Sequence, residues 1–259
     1  MHVVGIDAGS NSVKIVLIDE EGRVFFQIVR TGSNSVKAAR ELLDKVLIDA
    51  NLADCWPSYI VSTGYGRNYI DFSNKSVTEI SCHAKGVRHV IPEVRTLIDI
   101  GGQDNKVIYL DAEGNVQDFL MNDKCAAGTG RFLEVIAEAL NLSLEQMGEE
   151  SLKALGEVSI SSTCTVFAES EVVSHVARGE KLADIVAGIH RSIVRRVLGM
   201  AQRRSIIVPL VVTGGVGKNR GVIQMIQNEL GFEVMVPKEP QITGALGAAL
   251  IASEQVITI

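Results

Sequence analysis

Apolar and polar residues alternate at the start of the chain in a pattern that predicts three short strands joined by tight turns. The segment "HVVGID" ends at Asp7, "VKIVLID" follows the turn "AGSNS", and "VFFQIV" follows the turn "EEGR". Alternating segments separated by Gly, Asn and Asp are typical of an antiparallel β-meander. The first turn is made of small residues, so its backbone has room to approach a phosphate.

The same order of elements recurs further along, in "RTLIDIGGQDNKVIYLDAEGNVQDFLMND". Both segments have an apolar strand, an Asp, a glycine turn, a Lys, a second apolar strand and an acidic turn with Gly. The repeat distance is 92 residues, which is too long for a solenoid, so the duplication predicts two similar lobes. The matched pairs are Asp7 and Asp99, Gly9 and Gly101, Lys14 and Lys106, and Gly22 and Gly114.

Apolar residues three and four positions apart predict helices after each meander. The first, "SVKAARELLDKVLIDAN", places Ala38, Leu42, Leu43, Val46 and Leu47 on one face. Later helices are predicted at "GRFLEVIAEALN", "FAESEVVSHVARG" and "KLADIVAGIHRSIVRRVLGMAQR". The buried strand "PLVVTGG" leads into the helix "RGVIQMIQNEL", and a helix of small residues, "EPQITGALGAALIASEQ", ends the sequence.

Composition narrows the class of protein. The chain has 259 residues, 46% of them hydrophobic, enough to bury the core of one compact body or two small lobes. Its net charge of −6 argues against nucleic acid as a partner. No apolar run approaches a membrane span, and the chain starts directly with a strand, so we expect no membrane segment and no signal peptide. Four unevenly spaced cysteines favour free or metal-bound thiols in a reducing cytoplasm.

Two Asp-Gly turns are suited to bind a nucleotide triphosphate. Glycine lets backbone N–H groups approach phosphate oxygens, and Asp7 and Asp99 can hold Mg²⁺ through water. Gln103 is predicted to orient an attacking water, and Lys14 to meet phosphate charge. The alternative left open is a plain hairpin with an Asx bend at each turn. The candidate phosphate-binding residues are Gly9, Ser10, Asn11, Ser12, Lys14, Gly101 and Gly102.

A third glycine motif, "VVTGGVGKN", is not a P-loop. Val212 replaces the first Gly of that motif, and Asn219 replaces the Ser or Thr that would bind Mg²⁺. A strand followed by two glycines and a helix instead predicts a wall for adenosine, formed by Gly214, Gly215 and Asn219.

Together the segments "GIDAGSNSVK", "LIDIGGQDNKV", "VVTGGVGKNRGV" and "TGALGAAL" resemble the phosphate, adenosine and connecting motifs of the acetate kinase, sugar kinase, Hsp70 and actin superfamily. The resemblance covers nearly the whole chain. It implies an α/β fold with two RNase H-like lobes of the actin/Hsp70/sugar-kinase type around an ATP cleft that holds Mg-ATP. The first lobe is expected to contain residues 1–90 and 241–259, and the second residues 91–240.

Two further segments, "NDKCAAGTGRFLE" and "SSTCTVFAESEV", are similar to the ATPase activators of 2-hydroxyacyl-CoA dehydratases, which are related to the ATPase subunits of benzoyl-CoA reductase. This resemblance implies that Cys125 and Cys164 ligate a [4Fe-4S] cluster shared by the two chains of a homodimer. Each of these cysteines also precedes a predicted helix, where a thiolate is stabilised. A cubane usually takes four thiolates, and two chains supply four. One departure is Asn11, where many relatives have Thr.

The function implied by the resemblance is ATP-dependent delivery of one electron to a dehydratase or a related iron–sulfur reductase, with ferredoxin or flavodoxin as the donor. Two alternatives stay open, a small-molecule kinase of the sugar-kinase type without a cluster and a chaperone-like ATPase. Burial as a small apolar residue is the alternative role for each cysteine. Cys55 and Cys82 are interpreted as structural. The five histidines lack metal-site spacing and are interpreted as structural or surface residues.

Overall fold

The computed structural model describes residues 1–122, 128–161 and 165–257. Within these ranges the strands are β1 Val3–Ala8, β2 Ser12–Ile18, β3 Val24–Arg30, β4 Tyr59–Thr63, β5 Lys75–Ser76, β6 Thr96–Ile100, β7 Asn105–Leu110, β8 Val116–Asn122 and β9 Leu210–Thr213. The helices are α1 Ser35–Asp49, α2 Glu79–Val90, α3 Gly130–Ala139, α4 Leu144–Ser151, α5 Thr165–Ala177, α6 Leu182–Ala201, α7 Arg220–Leu230 and α8 Thr243–Ile257. Short 3₁₀ segments lie at Arg67–Tyr69 and Gly215–Lys218.

The chain divides into two compact units. The first contains Met1–Val94, Leu110–Asp118 and Pro237–Ile259, and the second contains Arg95–Tyr109 and Phe119–Val236. A five-stranded sheet of order β3-β2-β1-β4-β5 belongs to the first unit, and a four-stranded sheet of order β8-β7-β6-β9 is centred on the second.

In the first unit, helices cover both faces of the sheet. The face turned to α1 buries the alternate residues of β1 and β2 with the apolar stripe of the helix. The opposite face packs against α8, where glycines permit very close approach: a methyl group at Gly5 would collide with the carbonyl oxygen of Ala245. Helices α2 and α8 also pack closely, because Gly86 and Gly247 lie against each other's backbones. This packing fixes the start of α8 beside the end of β1.

The second unit is built around one larger apolar core. Residues of β6, β7 and β9 pack against α3, α5, α6 and α7, with Phe132, Ile136 and Ile193 fully buried among them. Helix α7 begins at an Asn219 cap and ends at Gly231, which adopts a left-handed conformation with φ of 75°. Both signals are typical of helix ends.

The predicted duplication is confirmed by the strand register. Asp7 pairs with Lys14 across β1 and β2, and Asp99 pairs with Lys106 across β6 and β7. The match extends to the next turn, because Gly22 and Gly114 have φ of 78° and 80°. Each unit also places a parallel strand, β4 or β9, beside the Asp strand.

The structure changes some details of the sequence prediction. In α1 the fully buried alanine is Ala39, and Ala38 is only partly buried, so the apolar stripe is wider than expected. The short helix α4, with a capping box from Ser143 and Gln146, was not predicted. No helix in the described ranges is long and apolar enough to cross a membrane.

Candidate nucleotide-binding half-sites

The first half-site forms where β1 ends. Asp7 is only 5% exposed, and Lys14 Nζ lies 3.0 Å from its Oδ2 atom. The ion pair follows directly from the register of β1 and β2, which places the two residues opposite each other. The carboxylate oxygens remain able to accept further hydrogen bonds.

Two glycines lie close to that carboxylate at positions where a side chain would collide with neighbouring atoms. A methyl group at Gly9 would lie 2.8 Å from the Ser12 carbonyl oxygen and 3.1 Å from Lys14 Nζ. One at Gly64, where φ is 89°, would lie 2.5 Å from Asp7 Oδ1. The β1–β2 turn, which contains Ser10 and Asn11, thus requires glycine at position 9 for its own close packing. Thr31 fixes the turn, donating its hydroxyl to the Gly9 carbonyl at 2.7 Å.

The second half-site forms where β6 ends and is held more tightly. Asp99 is 3% exposed, and Thr213 Oγ1 donates to its Oδ1 atom at 3.0 Å. Lys106 Nζ lies 3.6 Å from Asp99 Oδ2 and 2.7 Å from Asp104 Oδ2. Lys106 itself is only 2% exposed, so it neutralises two carboxylates at a buried position.

The β6–β7 turn is joined to the start of α3. The carbonyl oxygens of Gly101 and Gly102 each accept a hydrogen bond at 2.8 Å, from the N–H groups of Gly130 and Arg131. Asn105, which is buried, donates Nδ2 to the Gly128 carbonyl at 2.8 Å. Gln103 lies in the same turn with an exposed side chain. The turn and the first residues of α3 are therefore joined by backbone hydrogen bonds.

The third glycine motif adopts the predicted strand–turn–helix arrangement. Gly214 has φ of 84°, and a methyl group there would lie 3.0 Å from Asp99 Oδ1, so this glycine borders the second carboxylate. Gly215 opens the following 3₁₀ segment. Asn219 caps α7, accepting from the Val222 N–H at 3.1 Å, and its Nδ2 lies 3.2 Å from His190 Nε2. Its side chain thus has a structural task, independent of the predicted adenosine contact.

Burial changes the acid–base properties of two groups near these turns. Loss of hydration lowers the pKa of His190 to about 4, because the imidazolium would have no water around it. Burial also raises the pKa of the Cys82 thiol to about 12. Both groups are therefore uncharged near neutral pH, consistent with the structural roles predicted for them.

The predicted cluster ligands cannot be placed. Cys125 and Cys164 lie outside the described residues. The described chain resumes at Gly128, just before α3, and at Thr165, where α5 begins. Within the described ranges no group of three or more His, Cys, Asp or Glu could hold a metal ion.

Three side chains near the carboxylates were not recognised from the sequence. Thr213 binds Asp99, Thr63 occupies the corresponding register position beside Asp7, and His83 lies near Asp7. A signal for the threonines exists, because both are followed by glycine after an apolar strand, in "VSTG" and "VVTG". His83 has no such signal, since its neighbours come from β1 and from α8.

The fold defines the class of this protein. Although only 16% identical, a solved ROK family glucokinase from Streptomyces griseus shares the fold with a TM-score of 0.55, covering 98% of this chain and 100% of that one. With its two duplicated α/β units, the chain has the actin/Hsp70/sugar-kinase fold. It belongs to the BadF/BadG/BcrA/BcrD ATPase family, whose model matches residues 4–252.

Characterised relatives within the family are similar over almost their full lengths. The activator of lactoyl-CoA dehydratase from Anaerotignum propionicum is 47% identical over 255 residues, covering 98% of each chain. The (R)-2-hydroxyglutaryl-CoA dehydratase activating ATPase of Acidaminococcus fermentans is 44% identical over 254 residues, covering 97% of each. A solved activator of the 2-hydroxyisocaproyl-CoA dehydratase from Clostridium difficile, with bound ADPNP, has a TM-score of 0.94 at 44% identity, covering 100% of this chain and 96% of that one.

Proposed function

We propose that this ATPase is a reductive activator, which delivers one electron per ATP-driven event to a 2-hydroxyacyl-CoA dehydratase or a related iron–sulfur reductase. The observation that carries the proposal is the pair of matched half-sites, in which a buried Asp, a register-paired Lys and a crowded glycine recur in both units. The family and the names of the relatives support the same activity.

In this proposal the half-sites bind Mg-ATP. Asp7 and Asp99 hold Mg²⁺ through water, as buried carboxylates commonly do when Mg²⁺ keeps part of its hydration shell. Gln103 orients the attacking water, and its exposed side chain is free to turn toward a bound ligand. The remaining proposed contacts are Gly9, Ser10, Asn11, Ser12, Lys14, Gly101 and Gly102 for phosphates, and Gly214, Gly215 and Asn219 for adenosine.

Two chains hold one [4Fe-4S] cluster through Cys125 and Cys164 of each. Such a cluster supplies a one-electron reservoir. A homodimer is supported by α5, which follows Cys164 directly and is poorly covered: Val166 and Phe167 are each 67% exposed, and Val173 and Val176 are exposed as well. An apolar helix face of this kind is typical of a surface that another protein covers.

A short route connects the nucleotide turn with the proposed cluster loop. The hydrogen bonds from Gly130 and Arg131 to the β6–β7 turn, together with the Asn105 bond to Gly128, hold the start of α3 and Gly128, which is three residues after Cys125 in the sequence. We infer that a shift of this turn on hydrolysis moves the start of α3, and that electron release depends on this movement. Ferredoxin or flavodoxin is the proposed donor that reduces the protein again.

Anaerobic reconstitution with iron and sulfide tests the proposal. The wild-type protein should absorb near 400 nm, contain about two iron atoms per chain and run as a dimer. Cys125→Ala should lose the iron and weaken the dimer, whereas the control Cys55→Ala, at an exposed loop position, should retain both. About four iron atoms per chain, retained in Cys125→Ala, would contradict a shared cluster.

A second experiment tests electron delivery. The reduced dimer is mixed with a purified 2-hydroxyacyl-CoA dehydratase, and dehydration is measured with ATP, with ADP and without nucleotide. We expect activity with ATP alone. If the protein hydrolyses ATP but activates neither dehydratases nor aryl-CoA reductases, it is an ATPase with another function and the proposal is wrong.

A further inference from the structure

His190 is a fully buried histidine in contact with the third glycine motif. It lies in the middle of α6. Its Nε2 atom is 3.2 Å from Nδ2 of Asn219, the residue at which the 3₁₀ segment Gly215–Lys218 ends and α7 begins. A buried polar ring needs hydrogen-bond partners, and Asn219 supplies one of them.

Asn219 connects the two elements of the motif. Its backbone N–H donates to the Val216 carbonyl at 2.9 Å, at the end of the 3₁₀ segment. Its Oδ1 atom accepts from the Val222 N–H at 3.1 Å and so caps α7. Because this cap fixes the position of Oδ1, Nδ2 is the atom that faces the ring of His190. The Asn219 amide is therefore bonded at one end to α7 and at the other to α6.

The same cap assigns the tautomer of His190. An amide nitrogen only donates, so Nε2 is the acceptor, and in a neutral imidazole the proton then lies on Nδ1. Burial keeps the ring neutral near pH 7, because it lowers the pKa to about 4. Within residues 1–122, 128–161 and 165–257 the buried Nδ1 atom has no hydrogen-bond partner.

The Nδ1 edge of the ring faces the contact between α4 and α7. A methyl group at Gly221 would lie 3.0 Å from Nδ1 and 2.0 Å from Ser151 Oγ, but the Ser151 hydroxyl donates to the Gly148 carbonyl at 3.0 Å. A buried donor without an acceptor destabilises the folded protein. If packing alone mattered at position 190, an apolar side chain would serve better. The property that an apolar side chain lacks is the Nε2 acceptor.

We propose that His190 is a positioning residue for adenosine: its Nε2 atom holds the Asn219 amide, and with it the end of the glycine turn, in the conformation that receives the nucleotide. The inference rests on the proposed adenosine site and adds a residue that acts through Asn219. The competing role is filling of the core between α6 and α7, in which the ring is only an apolar spacer.

Two substitutions of His190 separate these roles. Leu fills the space without an acceptor, whereas the amide oxygen of Gln can replace Nε2. We expect H190L to raise the KM for ATP about 10-fold while kcat changes less than about 2-fold, because the buried Asn219 amide loses its acceptor and ground-state binding is weakened. H190Q should restore most of the affinity. The control H2L removes another buried ring, bonded through Nε2 to the Cys55 carbonyl at 3.1 Å in the first unit, and should leave KM unchanged.

Gly148→Ala provides an independent test that leaves His190 intact. Its methyl group would lie 3.0 Å from Asn219 Oδ1, so the amide has to move from its present position. This variant should also raise the KM for ATP. The matched control is Gly199→Ala, at a glycine of α6 where a methyl group has nothing within 4 Å, and it should leave KM unchanged.

Nuclear magnetic resonance of protein labelled with ¹⁵N-histidine tests the hydrogen bond directly. At neutral pH the signals that are present in the wild type and absent in H190Q should be those of a neutral ring protonated on Nδ1. Protonation on Nε2 would overturn the inference. The same holds for equal KM values in wild type, H190L and Gly148→Ala, or for a loss in H190Q as large as in H190L.

Thermal unfolding of each variant identifies those that are folded at the assay temperature. If H190L does not fold, the Gly148→Ala kinetics and the wild-type spectrum decide the question. Absence of both ATP hydrolysis and ADPNP binding in the wild type would instead contradict the proposed ATP site.

Discussion

The two half-sites share one plan but hold their carboxylates in different ways. Asp99 is fixed at both oxygens, by the Thr213 hydroxyl at 3.0 Å and by the Lys106 ammonium at 3.6 Å. Asp7 has the corresponding lysine, at 3.0 Å, but Thr63 makes no hydrogen bond to it in the described part of the chain. The same strand register therefore occurs with two different arrangements. Asp99 is bound by two side chains, whereas Asp7 is held by one ion pair and by close packing.

The difference indicates what fixes the position of the carboxylate in each unit. In the second unit a hydrogen-bond network positions Asp99, and the adjacent turn is joined to α3 through the carbonyls of Gly101 and Gly102. In the first unit, the position of the Asp7 carboxylate is fixed by backbone contact, because Gly64 and Gly244 both lie against it. Packing of this kind is rigid and sensitive to a single added methyl group.

Removing either carboxylate should have the largest effect. We expect Asp7→Asn and Asp99→Asn each to lower ATP turnover about 100-fold or more, because Mg²⁺ loses a charged partner and the phosphate its alignment. Steady-state ATP hydrolysis is the measurement, and Asp44→Asn, at an exposed position on α1, is the control. Near-normal turnover in one variant would show that the half-sites do not both bind the nucleotide.

Substitution of the crowded glycines Gly64 and Gly214 should have the next largest effect. Gly22→Ala introduces a side chain at φ of 78° with nothing within 4 Å, so it should cost about 1 kcal/mol of folding free energy for the backbone alone. Gly64→Ala and Gly214→Ala have the same backbone strain and in addition force a methyl group against the carboxylate and against a backbone carbonyl, that of Ala8 or Ile100 respectively. We expect an extra loss of about 1–3 kcal/mol in urea denaturation. If Gly64→Ala and Gly214→Ala lose no more folding free energy than Gly22→Ala, the neighbouring atoms move away from the new methyl group at little cost.

Much of this arrangement could be predicted from the sequence, and the reason is its local character. Asp7, Gly9 and Lys14 lie on two strands joined by one turn, so their spacing specifies the register; the same holds for Asp99, Gly101 and Lys106. Side chains that arrive from distant segments could not be predicted. Thr213 is 114 residues from Asp99 and Thr243 is 160 residues from His83, so each contact depends on how strands and helices pack.

The buried histidine of the second unit, His190, predicts that the free energy of unfolding depends on pH. His190 in the second unit has a pKa of about 4 when folded, below its ordinary value of 6.5. As pH falls from 6.5 toward 4, His190 binds a proton in the unfolded chain but not in the folded chain. The free energy of unfolding therefore decreases over this range. The total loss should be about 3 kcal/mol. Urea denaturation between pH 7 and pH 4.5 should show the slope, and His190→Gln should flatten it.

A control for this slope is available on α2. His89 is exposed, so His89→Gln should leave the pH dependence as it is in the wild type. An unchanged slope in His190→Gln would show that other groups cause the acid sensitivity.

The smallest expected effect tests the difference between the half-sites most directly. Thr213→Val keeps the shape of the side chain but leaves Asp99 Oδ1 without its donor, which should lower ATP turnover about 10-fold, in line with loss of one hydrogen bond to a charged group. Thr213→Ser keeps the hydroxyl and should recover most of the activity. Thr63→Val removes a hydroxyl that does not bind Asp7, so its effect should be under about 3-fold, below the cost of a charged hydrogen bond. Equal losses in Thr213→Val and Thr63→Val would mean that nucleotide binding draws Thr63 onto Asp7 and makes the two half-sites alike.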